Sequence, residues 1–130
     1  NNAIYGMTGG QMAPTTLPGM VATTAPGGRG AELHGLPIDI SRMLAVSDGV
    51  VYVERCALES VKDIKRAKKA IKKCFQVQLD GLGFGLVELL SPCPTNWKMT
   101  PSQAWKWVNE TMTKVYPLGV IKDTTGYDKD

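Results

Sequence analysis

With 130 residues, 43% of them hydrophobic and 21% charged, the chain has the size and balance of one ordinary folded domain. That composition excludes a disordered chain, a collagen-like repeat and a coiled coil, and no run of about 18 apolar residues is present to span a membrane. The net charge of +3 is unevenly placed: seven of the 15 basic residues lie between Lys62 and Lys73 with only Asp63 among them, and the rest of the chain carries an acidic excess.

The opening Asn1-Asn2-Ala3-Ile4 has no basic or apolar region of a signal peptide and no initiating Met, which predicts a piece of something longer. Gly, Pro and Thr then dominate residues 1–36, and no helical or strand period survives there. Met7, Met12, Leu17, Met20 and Val21 are too apolar for a solvated linker, so the segment reads as a functional loop. From Pro37, the residues Ile38, Ile40, Met43, Leu44 and Val46 are spaced for one buried helical face, with Gly49 as the cap. Val50–Val53 reads as a strand buried on both faces. A long helix follows from Glu59 to Asp80, with Val61, Ile64, Ala67, Ile71, Cys74, Phe75 and Leu79 as its apolar stripe. Phe84–Leu90 is a second strand, ended by Ser91-Pro92-Cys93-Pro94. Thr100 N-caps a third helix with Pro101 at its first position and Trp105, Val108 and Met112 inward. The residues after Val120 read as a polar tail. Alternating helices and strands predict an α/β class with a parallel sheet, and two strands are too few, so further strands are expected upstream.

Four groups could carry chemistry. Lys62, Lys65, Arg66, Lys68, Lys69, Lys72 and Lys73 could bind phosphates of a nucleic acid, but without interleaved aromatic or amide readers they read more simply as a solvated helix face. His34, the single histidine, is either a base or substrate contact or an ordinary loop residue. Three cysteines without a CxxC pair and without a secretory signal point to a reducing, cytoplasmic setting. Cys56 and Cys74 read as core, whereas Cys93 stands at the carboxyl end of a strand, the edge where α/β sheets bind ligands. Finally, Asn1-Asn2 precede Gly6, Gly9 and Gly10. Amide oxygens suit Mg²⁺ and a Gly-Gly turn can cradle an anion, a pairing that suits a magnesium diphosphate, although the same residues also describe a plain turn.

Asn1-Asn2-Ala3-Ile4-Tyr5-Gly6-Met7-Thr8-Gly9-Gly10-Gln11, followed by Ala13-Pro14-Thr15-Thr16, Leu36-Pro37-Ile38-Asp39, Phe75–Phe84 and Leu90–Trp97, resembles the thiamine-diphosphate domain of 2-oxoacid:ferredoxin oxidoreductase β subunits. The resemblance runs from Asn1 to about Asp123 and leans toward the 2-oxoglutarate or branched-chain type. It implies a three-layer helix/parallel sheet/helix architecture, a partial thiamine-diphosphate-binding fold lacking its N-terminal strands. Residues 1–36 would be the cofactor-binding loop region, 37–122 the α/β core and 123–130 a tail. It also implies that the Asn2 side chain and the Ile4 carbonyl are ligands of Mg²⁺. Tyr5, Gly6, Met7 and Thr8 would line thiamine diphosphate, with Met7 near the thiazolium, and Cys93 would be the fourth ligand of a [4Fe–4S] cluster. The family's remaining magnesium ligand, an Asp, and its other cluster cysteines belong upstream of this chain. No catalytic residue is assigned.

The implied activity is oxidative decarboxylation of a 2-oxoacid to an acyl-coenzyme A, with electrons passed to ferredoxin. The implied partners are an α subunit, ferredoxin, the 2-oxoacid and coenzyme A, with no nucleic acid and no membrane. These 130 residues alone are expected to be inactive, to hold no cluster and to self-associate. The alternatives are a nucleic-acid-binding module built on the basic helix, and a thiamine-diphosphate enzyme outside the ferredoxin group, which would have no need of a cysteine at position 93.

Overall fold

A computed structural model describes residues 1–127, and they divide into two compact units. One comprises Ile40–Leu89 together with the segment from Leu118 onward; the other comprises Asn1–Asp39 and Leu90–Pro117.

The first of these carries the sheet. Strand β1 (Val50–Cys56) is central, β2 (Phe84–Leu89) pairs with it in parallel and β3 (Gly119–Asp123) pairs with it antiparallel. Side chains alternate across the sheet. Tyr52 and Cys56 point to helix α3 (Val61–Leu79), where they meet Ala67, Ala70 and Val77. Val53 points the other way and packs with Ala45 of helix α2 (Ile40–Ala45), joined by Leu86 and Ile121. The result is helix, sheet and helix in three layers, the expected class. The long helix starts where the sequence signals it. Ser60 and Asp63 form a capping box, each side chain accepting from the other's backbone N–H.

Four local expectations are corrected. Strand β1 continues past Val53 through Glu54, Arg55 and Cys56, because both charged side chains find buried partners. The polar tail is in part strand β3, whose pairing with β1 supplies a downstream strand. In α3 the buried residues are Ala67, Ala70 and Val77, while Val61, Phe75 and Leu79 are exposed: small side chains let the helix lie close to the sheet. In α2 the buried residues are Ser41 and Ala45, and Ile38, Ile40, Met43 and Val46 are exposed.

The second unit has little regular structure in its first part: a 3-10 turn (Gly6–Thr8) and one turn of helix, α1 (Ala31–His34). Its helical part is α4 (Pro94–Trp97), α5 (Pro101–Trp107), a π-helical turn (Val108–Met112) and α6 (Thr113–Val115). Thr100 and Gln103 form the capping box that opens α5. Ala3, Leu17, Leu90, Val108, Met112 and Tyr116 make the core, with Trp97, Trp105 and Trp107 against it. Among the described residues no helix is long and apolar enough to cross a membrane.

Candidate functional site

A loop rich in Gly and Pro has few ladder hydrogen bonds, so its buried carbonyls need other donors. Arg29 supplies them. Its side chain is buried, and the guanidinium donates from Nη1 to the carbonyls of Ala13 (3.1 Å), Pro14 (2.8 Å) and Thr16 (2.9 Å), and from Nη2 to those of His34 (3.3 Å) and Leu36 (2.8 Å). Its Nε donates to the Gly35 carbonyl at 3.0 Å. Five N–H donors in a rigid fork make Arg the side chain suited to this task. The Tyr116 hydroxyl adds a donor to the Thr15 carbonyl at 2.7 Å.

The turn so fixed holds the opening residues. Thr16 Oγ1 donates to the Ala3 carbonyl at 2.6 Å and accepts from Ala13 N at 2.8 Å. Ala3 is fully buried at φ +55°, a left-handed conformation that costs a non-glycine residue about 1–2 kcal/mol. Such strain persists only where the surroundings over-determine it, and it collects at functional sites. Here it falls between the two expected magnesium ligands, Asn2 and Ile4. Ser91 N donates to the Asn1 carbonyl at 3.0 Å, which anchors this turn beside the Ser91-Pro92-Cys93 segment.

Beyond the turn the chain doubles back. Tyr5 N donates to the Gln11 carbonyl (3.0 Å), Gly10 N to the Tyr5 carbonyl (2.9 Å) and Gly6 N to the Ile4 carbonyl (3.0 Å). Two of the three glycines of this hairpin, Gly6 and Gly10, lie against α4 and its approach. A Cβ on Gly6 would stand 2.8 Å from Cys93 Sγ and 3.3 Å from Asn2 Nδ2. One on Gly10, at φ +76°, would stand 2.5 Å from Asn96 Oδ1. A hollow of about 220 Å³ adjoins them, lined in part by Ile4, Gly10, Thr23, Asn96 and Lys98.

Asn2, Ile4, Gly6 and Cys93 therefore come together in one place. Tyr5 is half exposed, Met7 fully exposed, and Thr8 is engaged with Gln11, its hydroxyl donating to Oε1 at 2.8 Å. His34 Nδ1 accepts from Gly30 N at 3.1 Å, a bond that closes its own loop. Cys56, Cys74 and Cys93 are all free thiols. Burial, together with the nearby Glu54 carboxylate, pushes the Cys56 thiol up to about 12, which fits a core residue. Of the basic helix, Arg66 is paired with Glu54 (2.7 Å) and Lys73 with Asp123 (2.6 Å).

The amide oxygen of Asn2 and the carbonyl of Ile4 are hard oxygen donors of the type Mg²⁺ prefers. Gly6 and Gly10 lie close against Cys93 and Asn96, and their N–H groups donate within the hairpin to the Ile4 and Tyr5 carbonyls. The residues present fit the expected group. Arg29 and Asn96 were not legible as parts of this site. A clue for Arg29 is its position as the one charged residue among the first 31 of the chain.

Comparison with known proteins places the chain in a family. The chain is 43% identical over 123 residues to ketoisovalerate oxidoreductase subunit VorA of Methanothermobacter marburgensis, a match covering 95% of this chain and 26% of that protein. It is 36% identical over 114 residues to 2-oxoglutarate synthase subunit KorB of Archaeoglobus fulgidus, covering 88% of this chain and 38% of that one. A 2-oxoacid:ferredoxin oxidoreductase subunit beta of Saccharolobus solfataricus is 32% identical over 96 residues, 73% of this chain. The chain belongs with these β subunits of 2-oxoacid:ferredoxin oxidoreductases. It spans between about a quarter and two fifths of the length of the relatives just named. No family model matches it, and no solved structure does.

Proposed function

We propose that this chain is the part of a 2-oxoacid:ferredoxin oxidoreductase β subunit that holds the magnesium end of thiamine diphosphate. The observation that supports this is the buried left-handed turn at Ala3, set between two oxygen donors in a chain 43% identical to a subunit named for ketoisovalerate oxidation. In this reading Asn2 Oδ1 and the Ile4 carbonyl ligate Mg²⁺, and an Asp outside these residues adds a third protein ligand. Tyr5, Gly6, Met7 and Thr8 lie along the cofactor, and of these Tyr5 and Met7 present exposed side chains. Thiamine diphosphate, when bound, supplies the electron sink for oxidative decarboxylation of a 2-oxoacid. Arg29 and Thr16 keep the backbone at Ala3 rigid, so the ligand geometry exists before the metal arrives.

Cys93 is the fourth thiolate of a [4Fe–4S] cluster in the intact subunit. The electrons pass to ferredoxin, the acyl group to coenzyme A, and an α subunit completes the assembly, in a reducing compartment suited to three free thiols. The acid is of the 2-oxoglutarate or branched-chain type. The 130 residues alone are inactive, because one magnesium ligand and three cluster thiolates lie outside them.

The test is titration of the intact subunit with magnesium and thiamine diphosphate. Asn2→Ala is expected to weaken binding by at least about tenfold, within the 10–100-fold range that a disturbed metal shell produces. Equal affinity in wild type and Asn2→Ala overturns the assignment.

A further inference from the structure

Asn96, the third residue of α4, sits between two groups that the function separates. Its Nδ2 lies 3.0 Å from the Gly6 carbonyl and 3.1 Å from Cys93 Sγ. A primary amide has two N–H donors on that nitrogen, enough for both acceptors at once. Its Oδ1 faces Gly10 at the spot where any Cβ would intrude, 2.5 Å away. Trp97 N donates to the Cys93 carbonyl at 3.0 Å, which fixes the turn carrying both Cys93 and Asn96. From Asn96 the connection continues through Gly6, whose N–H donates to the Ile4 carbonyl at 3.0 Å. One side chain thus lies against the thiol, Gly6 and Gly10.

We propose that Asn96 is a positioning residue that locks the Cys93 sulfur to the cofactor loop. It does so with an N–H···S bond on one side and an N–H···O bond to Gly6 on the other. The proposal rests on the functional reading above, which makes Cys93 a cluster ligand and Gly6 part of the cofactor wall. Hydrogen bonds to ligating sulfur tune a cluster's reduction potential, because they favour the more negative, reduced state. Removing the donor lowers the potential and, at the same time, frees the loop.

The experiment compares wild type, Asn96→Ala and the isosteric Asn96→Asp in the intact subunit. The first readout needs no cofactor: native-state hydrogen exchange of the peptide covering residues 1–11. Both variants are expected to speed exchange at Tyr5 and Gly10 by about tenfold, as loss of a net hydrogen bond predicts. The second readout is the potential of the cluster at unchanged iron and sulfide content. Both variants are expected to lower it by the equivalent of a tenfold shift in a one-electron equilibrium, about 59 mV. Unchanged exchange in either variant overturns the lock, and an unchanged potential in both overturns the N–H···S half of it. A wild-type subunit without iron or thiamine diphosphate binding overturns the functional reading instead, and the exchange measurement still decides the lock.

Discussion

Arg55 and Glu88 face each other in register across the parallel pair β1 and β2, with Nε 2.6 Å from Oε2 and the arginine side chain 1% exposed. Ser41 of α2 donates to the same carboxylate oxygen at 2.5 Å. Two charges taken out of water this way support each other, because removing one takes a close partner from a buried charge. Glu88→Ala is expected to destabilise by about 3–5 kcal/mol in chemical denaturation, while the paired change Arg55→Met with Glu88→Leu recovers most of the loss. A single variant as stable as wild type contradicts this account.

Gly6 offers a steric test of the site. An added methyl collides with Cys93 Sγ at 2.8 Å, and the sulfur is not the end of a long, yielding side chain. Gly6→Ala is expected to cost about 1–3 kcal/mol through overpacking. Combining it with Cys93→Ala removes the collision, so the double variant is more stable than the sum of the single changes predicts, by at least about 0.5 kcal/mol. Strict additivity in thermal unfolding refutes the contact.

In the proposed reading the thiols divide by role. In the intact subunit, Cys93→Ala is expected to lower iron and sulfide content and stop electron transfer to ferredoxin, with thiamine diphosphate binding retained. Cys74→Ala, a change in the layer between α3 and β2, leaves the metal content alone. The opposite pattern reverses the assignment.

Strand β3 is tied down by charge. Burial raises the Asp123 carboxyl, but hydrogen bonds from Lys73 and Thr125 outweigh it, and the net effect is a value below the usual carboxylate range. A carboxyl depressed in the folded state contributes stability that is full above its unfolded value, about 3.9, and is lost as pH falls through the folded one. Acidification below about pH 4 is therefore expected to loosen β3, and Asp123→Asn flattens that part of the stability–pH curve. Identical curves for the two proteins rule this out.

Strand β2 is the outermost strand on its side of the described sheet, and Phe75, Leu79, Leu82 and Phe84 are exposed. An open strand edge with apolar flanks templates association. Light scattering of the 130-residue chain is expected to give a mass that rises with concentration. A constant monomer mass speaks against it.

Much of this architecture was legible in advance, because local chemistry announces it. Thr100 followed by Pro101 announces a helix start through residues adjacent in the chain, and the structure completes that start with Gln103 in a capping box. What escaped depends on distant partners. Glu54-Arg55 looks like the end of a strand until Glu88, Ser41 and Arg66 are in place to receive the charges. Val120–Asp123 looks like a tail until Lys73 is beside it. In α3 the apolar period pointed to Val61, Ile64, Ile71, Phe75 and Leu79, which are exposed, whereas close packing on the sheet selected Ala67, Ala70 and Val77. At the candidate site, the Asn-Asn and glycine pattern pointed to the loop that carries the left-handed Ala3 and the close approach of Gly6 to Cys93. Arg29 and Asn96 act through seven carbonyls and a sulfur that no spacing rule anticipates.

The placement of β3 next to β1 has a consequence during synthesis. The ribosome releases β1, α3 and β2 first, then the whole run from Leu90 to Pro117, and only afterwards the strand that covers β1's second edge. Until Asp123 emerges, the central strand is an outer one, with Tyr52–Arg55 offering unpaired backbone to any neighbour on the same messenger. A stop codon before Gly119 would make that transient state permanent, so such truncations are expected in inclusion bodies rather than in solution.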